Sequence, residues 1–283
     1  MLRDTAVALA AAGIDNVRFE ARLLLAHAAG LSVEQLIARG AEPAPAAVAE
    51  RLRALAARRV LREPMAYILG EREFWGLPFK VSSAVLVPRP DSETLIEAAL
   101  ALMPDRQRAW RIVDLGLGSG CLLLTLLREY PAASGVGLEL SAEALAVAQA
   151  NAEALEVAAR ARLVPGDWRQ PDWQQRLGGP FDLLVSNPPY IEAGAIDQLM
   201  PEVARFEPRL ALDGGPDGLA AYRTIATAAR ALVAPGGRVL VEAGEGQAPE
   251  ISRIFSAAGL MMEAPWKDLA GIDRAVSGML LKH

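Results

Sequence analysis

The chain has 283 residues, 52% of them hydrophobic and 22% charged, the balance of a globular protein with a sizeable core; at ~150 residues per domain it holds about two. Its formal net charge of −5, from 29 basic against 34 acidic residues, argues against broad non-specific adhesion to nucleic acid phosphates but leaves room for a small basic groove. One cysteine, Cys121, excludes an internal disulfide, and two histidines remote from every motif below, His27 and His283, argue against Ser-His-Asp, histidine-zinc or histidine-base chemistry.

No apolar run approaches the ~18 residues of a membrane-spanning helix. The segment Met1 to Gly13 resembles a signal peptide only superficially. Its pattern continues through Phe19, Leu23, Leu24 and His27 as an ordinary amphipathic helix, which points to a cytoplasmic chain. Residues 1–70 read as a small bundle of about four helices, broken at Gly13, Gly30 and Gly40 to Pro45. The helix around Ala46 to Arg62 carries Arg51, Arg58 and Arg62 on one face, either solvated or a docking surface for a partner. Phe74 to Val87 reads as a β-hairpin, and Asp91 is placed to cap a helix running to Leu102, so that 71–103 forms a linking segment.

From 104 to 283 strands and helices alternate. Strands are expected at Arg111 to Leu115, Gly135 to Glu139, Arg162 to Val164, Asp182 to Ser186 and Arg238 to Val241. Helices are expected at Ser119 to Arg128, Ala142 to Leu155, Leu219 to Val233 and Ile251 to Ala258. Met261 to Trp266 and Ala275 to Leu281 read as two strands closing an edge. The fold class is α/β, a mostly parallel sheet with helices on both faces.

Asp114-Leu115-Gly116-Leu117-Gly118-Ser119-Gly120 leaves a strand and opens a helix, where glycines let the backbone turn tightly and approach an anionic ligand. Nineteen residues after Gly120, Glu139 ends the next strand, a spacing suited to an acid that binds a ribose. A dinucleotide fingerprint needs its third glycine at position 121, which is Cys. Asp-x-Gly-x-Gly-x-Gly resembles instead the first motif of S-adenosylmethionine-dependent methyltransferases. Asp167-Trp168, after the third strand, falls on the same sheet edge. There the indole offers a stacking surface for adenine and Asp167 an acceptor for its amine.

Asn187-Pro188-Pro189-Tyr190 leaves the carboxyl end of the fourth strand. Two prolines stiffen the backbone, Asn187 offers a side-chain carbonyl, Pro188 an unclaimed main-chain carbonyl and Tyr190 a flat face. Two acceptors gripping the N–H groups of a planar amide or aromatic amine fix its nitrogen for methylation without a proton-stripping base.

The chain closely resembles the PrmC/HemK family of peptide chain release factor N5-glutamine methyltransferases. The resemblance rests on Asn187 to Tyr190, on Glu73-Phe-Trp-Gly-Leu-Pro-Phe79, on Pro88-Arg-Pro-Asp-Ser-Glu-Thr94 and on Arg205-Phe-Glu-Pro-Arg-Leu-Ala-Leu212. It implies a Rossmann-like methyltransferase sheet behind an N-terminal release-factor-docking bundle, S-adenosylmethionine as cofactor and no metal. The methylated residue would be the glutamine of a Gly-Gly-Gln motif in a release factor. Cofactor residues map onto Gly116, Leu117, Gly118, Ser119, Gly120, Glu139, Trp168 and Asn187. Substrate residues map onto Asn187, Pro188, Pro189 and Tyr190. Arg89 stands as either a carboxylate anchor or a structural ion pair. Glu139 and Leu117 depart from the family's commoner residues without removing a reacting group. A monomer that contacts neither membrane nor nucleic acid is expected. The rival substrates are a ribosomal-protein glutamine and an adenine amino group. A non-catalytic nucleoside-binding module and a nicotinamide oxidoreductase fit less well, since Asn187 is present and the glycine spacing is wrong.

Overall fold

The computed structural model describes residues 1–40 and 43–281, so His283 and part of the Gly40 to Pro45 break lie outside the described residues. The chain divides into two compact units, Met1–Glu71 with Met200–Phe206, and Arg72–Leu199 with the segment from Glu207 onward.

The first unit is helical: α1 (Leu2–Ala11), α2 (Val17–Ala29), α3 (Val33–Ala38), α4 (Ala46–Val60) and α5 (Met65–Leu69), with Pro201–Phe206 contributed from far along the chain. Gly30 ends α2 at φ +67°, where a side chain would be strained. The Ser32 hydroxyl accepts from the Gln35 amide at 3.2 Å and the Gln35 side chain accepts from the Ser32 amide at 2.9 Å, a reciprocal cap that starts α3. Leu9, Leu24 and Leu52 form its dry core.

The arginine face is largely spent inside this unit. Arg58 pairs with Glu63, and Arg62 donates to the Ala12 and Gly13 carbonyls and to Glu202; Arg51 is exposed. Arg59, which the helical pattern does not single out, is 6% exposed and donates to Glu20 at 2.7 Å and to Glu202 at 2.9 Å. Removing one member of a buried charge cluster strands the others. Arg59→Met should therefore lower stability by about 3 kcal/mol in urea unfolding, and an unchanged midpoint would contradict the structural weight given to this cluster.

In the second unit β1 (Glu71–Phe74) and β2 (Leu77–Lys80) form a two-stranded sheet. The hairpin is thus shorter and earlier than Phe74 to Val87. Trp75 and Gly76 take φ +54° and +70°, the left-handed pair of a tight two-residue turn, and Val81, Val85 and Val87 are buried outside any strand. Asp91 does not cap α6 (Glu93–Leu102). It lies within a 3-10 turn, Pro90–Ser92, and faces Arg274 at 3.6 Å.

The main sheet runs β3 (Arg111–Leu115), β4 (Ser134–Glu139), β5 (Ala161–Pro165), β6 (Phe181–Ser186), β7 (Val233–Glu242), β8 (Leu260–Met262), β9 (Trp266–Lys267) and β10 (Asp273–Leu280). Its helices are α7 (Cys121–Glu129), α8 (Ala142–Ala154), α10 (Ala220–Leu232) and α11 (Ala248–Ala257), with α9 (Pro201–Phe206) belonging to the first unit. The spatial order is β5-β4-β3-β6-β7-β10-β8, with β9 beside β10. Strands β3 to β7 are parallel, and β10 is antiparallel to its neighbours. The central strands are buried on both faces and read as continuous apolar runs, as helix-covered parallel strands must.

Two expectations shift in detail. Helix α7 opens at Cys121 rather than Ser119, because Gly118 and Gly120 hold φ +55° and +82°, outside the helical region. Met261 to Trp266 is two short strands rather than one. As expected, these C-terminal strands close one edge of the sheet, in the order β7-β10-β8 with β9 beside β10.

Candidate active site

Strand order reverses between β3 and β6, so the loops after these strands part and leave a crevice at their carboxyl ends. The Ser186 hydroxyl, at the end of β6, donates to the Leu115 carbonyl at 2.6 Å and ties the two strands where their loops diverge. A cavity of about 740 Å³ opens there, entirely within the second unit.

The glycine loop forms one wall. Gly116, at φ +79°, lies under Trp168: a Cβ added to it would approach the indole to 3.4 Å. A Cβ on Gly120, at φ +82°, would meet Leu124 at 2.8 Å. Leu117 is buried, its side chain packed over Gly137, so only its backbone is available to a ligand. Ser119 is buried, and its carbonyl accepts from the Asn151 side chain at 2.9 Å, which also holds Lys80 of β2. Glu139 ends β4 with one carboxylate oxygen accepting from the Gly118 amide and the other from the Ser141 amide, both at 2.9 Å.

Parallel register sets Glu139 opposite Pro165, which brings the loop after β5 to the same edge. Trp168 and Asp167 line the cavity there. The Asp167 carboxylate, however, is gripped by Arg169 at 2.9 Å, which holds it below the usual carboxylate range. Arg89 also lines the cavity and forms a 2.7 Å ion pair with the buried Glu207. The ion-pair reading of Arg89 is therefore the one seen, and burial raises Glu207 despite its partner.

Of the Asn-Pro-Pro-Tyr segment, Asn187 and Pro189 line the cavity, whereas Pro188 and Tyr190 do not. Tyr190 does not present an open face there: it packs against the core, and its hydroxyl donates to Glu242 Oε1 at 3.2 Å. Burial first, then Glu242, raises the phenol far above its ordinary pKa, so it stays neutral. Asn187 donates its amide nitrogen to the Ser92 hydroxyl at 3.2 Å, which turns Oδ1 away from Ser92. The Pro188 carbonyl receives no hydrogen bond among the described residues.

Three residues at the site are given no role by the sequence motifs, although Asp114 and Ser92 lie inside two of them. Asp114 lines the cavity at 1% exposure, and its Oδ1 is buried without a partner. Burial pushes its carboxyl up to about 7, with Glu139 adding to the rise and the Leu123 amide opposing it. Ser92 and Glu242 come from remote segments and meet Asn187 and Tyr190 through the fold alone. Glu242 nonetheless ends a buried strand, as Glu139 does.

A parallel sheet that reverses order at a glycine loop, with an acid after its second strand and an Asn-Pro-Pro-Tyr segment on the same crevice, defines an S-adenosylmethionine-dependent methyltransferase. The residues are compatible with that cofactor: an orphaned buried carboxylate oxygen on Asp114, the Glu139 carboxylate and the Trp168 indole all line the crevice. Residues 1–70 match the family model described as PrmC N-terminal domain, and 92–205 the one described as Methyltransferase small domain. A release factor glutamine methyltransferase of Bradyrhizobium diazoefficiens is 48% identical over 97% of this chain and 92% of its own. Another, of Cereibacter sphaeroides, is 46% identical over 99% and 97%. A methyltransferase structure from Pyrococcus furiosus shares the fold, with TM-score 0.54 and 15% identity over 83% of this chain and 99% of its own. The chain belongs to the release factor glutamine methyltransferase family.

Asp114 generates a prediction with a definite sign. Its folded pKa of about 7 lies above the unfolded value, so its contribution to stability is present at acid pH and lost as pH rises through about 7. Asp114→Asn should stabilise the ligand-free protein at pH 8, by an amount on the order of 3 kcal/mol, and much less at pH 4. The same change should weaken S-adenosylmethionine binding ~10–100-fold, the usual weight of a charge-assisted hydrogen bond. Calorimetric melting and titration measure both, and a lower melting temperature at pH 8 or unaltered affinity would count against the assignment.

Proposed function

We propose that the protein methylates the side-chain amide nitrogen, N5, of the glutamine in a release factor's Gly-Gly-Gln motif, with the target amide lying against Asn187. The observation that carries this reading is the orientation of Asn187. Its donor end is taken by Ser92, which leaves Oδ1 as an acceptor next to the unclaimed Pro188 carbonyl.

S-adenosylmethionine, when bound, supplies a methyl group on a sulfonium. The chain's own residues have to solve a positioning problem, because an amide nitrogen is planar and its lone pair is delocalised into the carbonyl. Asn187 Oδ1 and Pro188 O accept the two N–H groups, fix the plane and favour electron density at nitrogen. Pro188 and Pro189 hold these oxygens still, since neither residue has an amide with which to join a ladder. No proton-stripping base is needed: Tyr190 remains a neutral phenol, and one amide proton passes to solvent water only once the nitrogen carries its new bond to the methyl carbon.

Around this centre Gly116, Leu117, Gly118, Ser119 and Gly120 offer backbone to the cofactor. Glu139 binds the ribose, Trp168 stacks on the adenine, and Asp167, steadied by Arg169, flanks it. Pro189 forms the wall beside the substrate. The Arg89–Glu207 pair shapes the rim rather than anchoring a carboxylate. The 1–70 bundle serves as the docking surface for the release factor, and the protein acts as a cytoplasmic monomer. Among the described residues no helix is long and apolar enough to cross a membrane.

Purified protein given labelled S-adenosylmethionine should label a release factor at the Gly-Gly-Gln glutamine. Label confined to ribosomal proteins or to DNA would overturn the substrate. Asn187→Ala should lower kcat about 10²–10³-fold, the weight of a lost electrostatic contact at a reacting centre, and undiminished transfer would remove the amide grip.

A further inference from the structure

The two ends of an asparagine carboxamide have nearly the same shape and opposite chemistry, so a site that needs the oxygen must exclude the turned-over form. At Asn187 the excluding contact is Ser92 Oγ, 3.2 Å from Nδ2. A hydroxyl both donates and accepts, so by itself it tolerates either end. What removes the ambiguity is the next residue in the chain of contacts. Ser92 donates its one proton to Glu242 Oε2, and Glu242 Oε1 accepts from the Tyr190 hydroxyl at 3.2 Å.

We infer that Glu242 is a positioning residue for methyl transfer, which through the Ser92 hydroxyl fixes the Asn187 carboxamide with its oxygen toward the substrate. The inference rests on the reading of Asn187 as the amide-gripping residue. An ionised carboxylate has lone pairs and no proton, so Ser92 must point its hydrogen at Glu242 and can offer Asn187 only a lone pair. Only Nδ2 satisfies that lone pair. The polarity of the relay, carboxylate to hydroxyl to amide, is therefore set at Glu242.

The fold supports this role. Register pairs Ser186 of β6 with Val241 of β7, so Asn187 and Glu242 leave adjacent parallel strands at the same level. Ser92 arrives from the 3-10 turn that precedes α6. Glu242 is 1% exposed, and the Tyr222 hydroxyl donates to its main-chain carbonyl at 2.8 Å, which pins the strand end. Burial raises its pKa on balance, with Asp91 adding to the rise, while the Ser92 hydroxyl, Arg274 and the Tyr190 hydroxyl favour the charge. The geometry has both its oxygens accepting from hydroxyls, as the ionised form requires. Arg274 is itself held by Asp268 at 3.0 Å and by the Ala243 carbonyl at 3.1 Å. A carboxylate kept in such a place only to join three segments would have no need of a serine whose second valence meets the reacting residue.

The decisive variant is Glu242→Gln, which keeps size and shape. Its amide end can donate to Ser92, freeing the serine proton to turn toward Asn187 and admit the flipped carboxamide. Expected results are a kcat for release-factor methylation lower by about 10- to 100-fold, the cost of one or two wrongly paired polar contacts, with KM for the factor and Kd for S-adenosylmethionine within about threefold. Ser92→Ala should lose about tenfold, and Ser92→Thr, which restores the hydroxyl, should recover most of that loss. In side-chain amide NMR, the Asn187 NH2 pair should shift in Glu242→Gln and Ser92→Ala and return toward the wild-type position in Ser92→Thr. Full kcat in Glu242→Gln alongside a dead Asn187→Ala would overturn the positioning role while leaving the amide grip intact. Parallel loss of cofactor binding and melting temperature, or no rescue by Ser92→Thr, would reduce Glu242 to a structural tie and overturn it too. Should the wild type fail to label release factors, the underlying reading falls, and an unmoved Asn187 NH2 signal would separately refute the relay.

Discussion

An amide nitrogen conjugated with its carbonyl is a poor nucleophile, and the Tyr190 phenol beside the proposed centre, held neutral by burial, is not suited to strip it of a proton. What remains to a protein that alkylates such a nitrogen is geometry: two fixed acceptors, correctly turned, beside the methyl donor. Fixing acceptors is costly in a flexible chain, because an unclaimed carbonyl normally finds an amide. The proline pair after β6 withholds those amides, and the parting of β3 and β6 opens the crevice that Asn187 lines.

The surrounding structure carries acids at the carboxyl ends of three buried strands: Asp114 on β3, Glu139 on β4 and Glu242 on β7. Each is unfavourable for an apolar sheet unless something answers its charge. Glu139 is answered by two loop amides, and Glu242 by hydroxyls and Arg274. Asp114 keeps an unpaired oxygen, an expense that makes sense where a cationic ligand completes the pairing. The sheet thus tolerates local instability at the edge where the proposed chemistry takes place.

The strand–helix alternation, the glycine loop and the Asn-Pro-Pro-Tyr exit were legible because each is a short-range signal: apolar period, turn residues, proline pairs. The hairpin was misplaced because valines at 81, 85 and 87 mimic a strand while serving as buried loop anchors, and the Trp75-Gly76 turn left no classical Asn-Gly mark. Asp91 looked like a cap, but a 3-10 turn moved it away from the first helical amides. From its sequence context alone Tyr190 is an open aromatic wall. Its partner Glu242, 52 positions later, holds it against the core, and no local pattern announces such a pairing. Ser92 lies in one of the family motifs, but its contacts with Asn187 and Glu242 are not legible for the same reason, although an acid ending the apolar run of β7 is a signal of the kind that marks Glu139.

The central claim is tested most directly by a crystal structure of the protein with S-adenosylhomocysteine and a release factor. The account predicts the Gly-Gly-Gln glutamine nitrogen at hydrogen-bond distance, ~2.7–3.2 Å, from both Asn187 Oδ1 and the Pro188 carbonyl, with its free face toward the sulfur. A glutamine held elsewhere, or an Asn187 that presents its NH2 to the substrate, would contradict it.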